Sequence, residues 1–116
     1  MKAKNYSKAL IYHLQWKVQF KKFLDGEGDF NIAELTVENC KLWKWLHSEE
    51  ILKYTSPSEI RQIEKVHNKC HERAKRVYAL KKLDEDANAR QELKKLEADS
   101  MKLASLLTTL KAIREN

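Results

Sequence analysis

His67 and His71 stand four residues apart in the segment His67-Asn68-Lys69-Cys70-His71. On an α-helix that spacing puts both imidazoles on one face, close enough to address a single ion. His13 and Cys40 lie on separate apolar segments that read as helical, so a bundle can bring all four side chains to one point. Three imidazoles and a thiolate make a closed, tetrahedral donor set that suits Zn²⁺ better than iron, magnesium or calcium. His13, Cys40, His67 and His71 are therefore read as the ligands of a zinc site.

The competing reading is a set of ordinary core histidines. A single imidazole on an apolar stripe is more often hydrogen-bonded than metal-bound, and for His13 alone that reading prevails. Three at once are harder to place. Their six ring nitrogens need partners away from water, and each one left unsatisfied costs about 1–3 kcal/mol. One zinc ion engages three of them together with the thiolate. His47 follows Cys40 by seven residues, about 10 Å along a helix, too far to share an ion, and is expected at the surface. Cys70 lies about 60° around the helix from His67; it stays an alternative ligand, and otherwise a small buried hydrophobe.

The elements that must position these residues are legible from apolar spacing. From about Tyr6 to Leu24, Tyr6, Leu10, His13, Phe20 and Leu24 share a stripe flanked by Leu14 and Trp16, as an amphipathic helix requires. Asp25-Gly26-Glu27-Gly28-Asp29 holds both glycines of the chain and ends that helix. Its acids do not make a calcium loop, because Phe30 and Thr36 stand where an EF-hand needs glycine and glutamate. The segment from about Leu35 to Leu46 carries Val37, Cys40, Leu42, Trp43, Trp45 and Leu46, apolar on more than one side, and is expected between longer helices. Ser56-Pro57-Ser58-Glu59 is a helix start with a capping box. That helix should run to about Leu83 with Ile60, Ile63, His67, His71, Ala74 and Tyr78 inward. A last helix from about Asp86 to Arg114 has its stripe at Ala89, Leu93, Leu96, Ser100, Leu103, Leu107 and Leu110. It offers no histidine or cysteine and is read as a packing and dimer-forming helix.

The expected fold is thus all-α: a four-helix bundle with a short additional helical segment carrying Cys40. Two glycines and one proline among 116 residues leave few turns, and the length is that of one domain, residues 1–116. The early methionine and the last helix are read as those of a complete domain. No run nears the roughly 20 apolar residues that span a bilayer, and the start does not read as a signal peptide. A cytoplasmic protein without membrane insertion follows. In that reducing compartment two cysteines are thiols or ligands rather than a disulfide. The net charge of +6 comes from lysines interleaved with acids, a solvated surface rather than a nucleic-acid face. Lys2, Lys4, Lys8, Lys17, Lys21 and Lys22 make the first segment the most basic, the one place where an acidic partner would dock.

Three ordered motifs resemble the chemoreceptor zinc-binding (CZB) domain family of bacteria. His13-Leu14-Gln15-Trp16 is similar to the family's His-x-x-Trp, Cys40-Lys41-Leu42-Trp43-Lys44-Trp45-Leu46 to its Cys-x-Leu-Gly-x-Trp-Leu, and His67 to His71 to its His-x-x-x-His. Trp43 stands where that pattern has glycine, so looser or rearranged packing is expected beside Cys40. The resemblance implies zinc on His13, Cys40, His67 and His71, a helical bundle that is often a homodimer, and a regulatory role. The output in relatives is a chemoreceptor or a diguanylate cyclase, and the input is zinc availability or an oxidant such as hypochlorous acid.

A four-ligand site with no open position is a poor catalyst, so no enzymatic activity is expected. Three imidazoles on long helices form the fixed part, and Cys40, on a short segment after a glycine turn, is the ligand able to leave. The leading expectation is a zinc-binding regulatory domain in which zinc loss or Cys40 oxidation moves the Leu35 to Leu46 segment. Its rival is a structural, zinc-stabilised dimerisation module, and a basic nucleic-acid or membrane binder ranks last.

Overall fold

Two long helices end on the same left-handed turn, one built with glycine and the other without. The computed structural model describes residues 6–28 and 30–114; Lys2 and Lys4 of the basic cluster and Asp29 of the glycine turn lie outside the described residues. Helix α1, Tyr6–Leu24, stops where Gly26 takes φ +78° and the amide of Glu27 bonds back to the Lys22 carbonyl at 2.8 Å. Helices α2, Lys41–Leu46, and α3, Glu49–Tyr54, are short, and α4 is Pro57–Lys82. Helix α4 begins at the expected capping box, Ser56 Oγ accepting from the Glu59 amide and the Glu59 carboxylate from the Ser56 amide. It closes with the Glu85 amide on the Leu80 carbonyl at 2.9 Å, and Asp84 fills the left-handed position at φ +59°. Aspartate tolerates that region better than most residues but still pays a steric cost that glycine avoids. Helix α5, Asp86–Arg114, follows.

Contacts between the long helices fix their directions. Tyr6 meets Thr55, just before α4, Trp16 packs on His71, and Phe23 stacks on Tyr78, so α1 runs parallel to α4. Arg73 with Asp99, Arg76 with Glu92 and Lys81 with Asp86 pair rising with falling numbers, so α5 returns antiparallel to α4. The 48 Å long axis of the molecule is close to the roughly 43 Å expected for α5 alone at 1.5 Å per residue. Ala89, Leu96, Ser100, Leu103, Leu107 and Leu110 of α5 face the core, as their spacing predicts.

The fourth side of this all-α bundle is assembled from short pieces. Two single-turn 3₁₀ helices, Ile32–Leu35 and Val37–Asn39, lie against α4, and α2 lies against α1. Cys40 is therefore not within a helix: it is the extended residue between the second 3₁₀ turn and α2, at φ −84° and ψ 140°. The run Val37-Glu38-Asn39-Cys40 lacks the length to sustain a helix on its own. Leu14 turns to solvent at 40% exposure while Trp16 is core, and Tyr78 is half-buried with Cys70 and Val77 taking the interior. Trp43 sits in a helix with ordinary backbone angles, so no glycine is required there. Its indole is half-buried against the core and stacks on the His47 ring, centroids 3.9 Å apart.

Candidate metal centre

Cys40, His67 and His71 each offer a ligand atom, and these atoms lie within 4.8 Å of one another in a buried cluster. Helix α4 supplies both imidazoles on its inner face, and the turn before α2 carries the thiol. The short segment is anchored at Glu34 and Leu35. The Trp16 indole N–H donates to the Glu34 carbonyl at 3.0 Å, and His71 Nδ1 lies 3.0 Å from the Leu35 carbonyl.

That last contact fixes the proton inventory of the pair. A carbonyl only accepts, so His71 Nδ1 donates and a neutral His71 carries a bare lone pair on Nε2. His67 Nε2 lies 3.1 Å from it and must donate if the contact is a hydrogen bond. His67 Nδ1 is then a lone pair with no partner, and it is buried and unpaired. Moving the proton to Nδ1 instead leaves two lone pairs facing each other. In either arrangement the protein alone leaves at least one ring nitrogen of the pair without a partner.

Protonation does not solve this. Burial, reinforced by the neighbouring imidazoles His71 and His13, pushes His67 down to about 2. Burial likewise takes His71 to about 4, with the Leu35 carbonyl opposing and Lys75 assisting. Both rings are neutral near pH 7, the form that ligates metals. The 3.1 Å between the two Nε2 atoms approaches the roughly 3.3 Å that separates two nitrogens bound tetrahedrally at 2.0–2.1 Å. The bond from His71 Nδ1 to a backbone carbonyl is the outer contact that orients metal-bound histidines, whereas His67 has no such partner. Burial raises the Cys40 thiol, with the amides of Leu42 and Trp43 pulling the other way. A soft sulfur beside two neutral imidazoles fits zinc.

His13 occupies the same interior but is turned aside. It is 1% exposed, and burial, with Lys17 and His71 nearby, lowers it to about 4. Its Nε2 is 2.6 Å from the Ser100 hydroxyl of α5, and it is not among the residues whose ligand atoms converge. The structure thus gathers three of the four expected ligands and holds the fourth beside them. His47 is exposed, with Nδ1 on the Trp43 carbonyl and Nε2 3.2 Å from Glu64. Cys70 is fully buried, its thiol pushed up to about 12 by burial and by Asp99, and is not among the converging residues. Ser100 and the Leu35 carbonyl escaped sequence reasoning. A lone hydroxyl at a core position of α5 was the available signal for the first; nothing in a sequence marks a carbonyl.

Above His71 an open cleft of about 340 Å³ is lined by Val37, Glu38, Trp43, Glu64, Asn68 and Glu72, among others. Glu38, Glu64 and Glu72 share this cleft with Lys75, and Glu64 also reaches His47. No curated protein and no solved structure matches the chain. A family model, that of the chemoreceptor zinc-binding domain, matches residues 13–78, more than half of the chain, starting at His13 and spanning Cys40, His67 and His71. With the buried sulfur and imidazole donors gathered inside that span, the chain belongs to the chemoreceptor zinc-binding domain family.

Proposed function

We propose that this domain is a zinc-dependent regulator, in which Cys40, His67 and His71, joined by His13, hold zinc and the state of the Cys40 sulfur governs a partner. The observation that carries the reading is the histidine pair. Two neutral buried rings meet Nε2 to Nε2 at 3.1 Å with one nitrogen left unpaired, an arrangement better suited to a cation than to a protein core. Zinc bound there supplies the positive charge that keeps the Cys40 sulfur as a thiolate, the form that oxidants attack.

The chain's own residues divide the work. His67 and His71 are carried by a capped 26-residue helix and stay in place. Trp16 and His71 pin the backbone at Glu34 and Leu35, so the segment that moves begins after Leu35. Hydrogen peroxide attacked by the Cys40 thiolate gives one oxygen to the sulfur as its O–O bond breaks; with a proton from solvent the products are the sulfenic acid and water. Cys40 then loses its hold on the cluster, and α2 is free to shift against α1. Turnover of a substrate is not part of this role, since a donor set closed by His13 keeps no place for one.

The domain acts in the cytoplasm, as a homodimer, on a signalling partner such as a chemoreceptor or a diguanylate cyclase. Among the described residues no helix is long and apolar enough to cross a membrane. Elemental analysis of purified protein tests the centre: one zinc per chain is expected, lost in Cys40→Ala, His67→Ala and His71→Ala. Chelation tests the role. A regulator keeps most of its helix and changes locally, whereas a purely structural zinc module unfolds, because structural zinc contributes about 10 kcal/mol or more to folding.

A further inference from the structure

We infer that Ser100 of α5 is the positioning residue of His13, holding its imidazole off the Cys40, His67 and His71 cluster until that cluster is filled. The inference rests on the zinc reading above and adds α5, which lies beyond the span matched by the family. His13 Nε2 and Ser100 Oγ are 2.6 Å apart, both side chains 1% exposed and 87 residues apart in the chain. Among the described residues Ser100 is the only buried polar side chain of α5, in a stripe otherwise made of alanine and leucine. A hydroxyl at such a position is costly without a partner, and His13 is the partner it has.

Serine also suits an exchangeable contact. Inside a helix its hydroxyl can turn to the carbonyl four residues back, here that of Leu96. Releasing His13 therefore leaves no orphaned group on α5. His13 and His71 both pack on the Trp16 ring, with centroids 6.1 and 4.6 Å from it, so His13 borders the cluster. Joining the cluster requires the His13 side chain to turn away from Ser100, since its ring is not among the converging donors. A second polar link between α1 and α5 among the described residues, Lys21 with Glu97 at 2.7 Å, is more than one-third exposed on both sides and weak for that reason. Filling the cluster breaks the buried link between the two helices and lets the hydroxyl bond back along α5, a contact that tends to bend helices. The long C-terminal helix then registers whether the site is filled.

The test is a zinc titration against a competing chromophoric chelator, with the parent, Ser100→Ala, His13→Ala and the double variant, and with helix content checked by circular dichroism. Alanine is the better helix former, so S100A should fold. Removing a competing hydrogen bond worth about 1 kcal/mol net makes S100A bind zinc about fivefold more tightly or better. The gain should vanish on the His13→Ala background. Zinc should also change hydrogen exchange of α5 amides near Ser100 in the parent and not in S100A. Zinc affinity in S100A equal to or weaker than the parent's, or the same gain without His13, overturns the role of Ser100. If the parent binds no zinc, or binds it unchanged in Cys40→Ala, the zinc reading itself fails instead.

Discussion

Replacing His67 with leucine should have opposite effects with and without zinc. In the metal-free protein three ring nitrogens, Nδ1 and Nε2 of His67 and Nε2 of His71, share one hydrogen bond and leave one atom unpaired. Leucine removes two of the three and still leaves one unpaired. The bond lost is worth about 1 kcal/mol, and burying an apolar side chain at a site 1% exposed returns about 1.5–3 kcal/mol. The metal-free variant should therefore be more stable than the parent by about 1 kcal/mol. For 116 residues an unfolding entropy of about 2.1 cal/mol/K per residue makes each kcal/mol worth about 4 °C. His67→Leu should melt about 4 °C higher than the parent in chelator. With free zinc at a hundred times its Kd, the parent gains about 2.7 kcal/mol, or about 11 °C, and the variant gains little. Thermal unfolding followed at 222 nm, with chelator and with zinc, reads all four values. A metal-free variant that melts more than about 8 °C below the parent would show that His67 is kept for packing. A full zinc shift in the variant would refute its role as a ligand.

Acid should weaken the metal-free protein well before its carboxylates titrate. His13, His67 and His71 are all held below their ordinary value of 6.5 by burial, so the unfolded chain takes up protons that the folded chain refuses. The stability they allow is complete above pH 6.5 and falls as pH drops toward 4, by up to about 1.4 kcal/mol per unit for each ring; a chelated protein with the same denaturant midpoint at pH 7 and pH 5 would contradict this. Asp84→Gly should raise stability by about 0.5–1 kcal/mol, because it relieves the left-handed residue that ends α4, and a lower midpoint in urea would count against that turn geometry. Ser56→Ala should cost about 1 kcal/mol through loss of the cap on Glu59, seen as a melting point about 4 °C lower.

Much of the bundle was legible because its signals are local. The capping box at Ser56, the glycine turn after Leu24 and the three-four spacing of α4 and α5 are written in short stretches of chain, and the helices begin and end where those stretches place them. The four-residue spacing of His67 and His71 dictated a shared face, and the motif order around His13 and Cys40 pointed to the family. Local rules failed between residues 30 and 55. There the pieces are too short to hold a helix by themselves, and contacts with α1 and α4 decide that Cys40 is an extended residue between two short elements and that a second short helix, α3, follows α2.

Composition and spacing by themselves determined which elements could form and which donor atoms were present. Only the tertiary structure decided how those donors are used. It gave His71 the Leu35 carbonyl, left His67 Nδ1 without a partner, and set His13 against a serine 87 residues away. Helix periodicity fixes the direction of a side chain relative to its own axis, whereas a hydrogen bond between helices depends on their relative depth and rotation, which packing of the whole core sets.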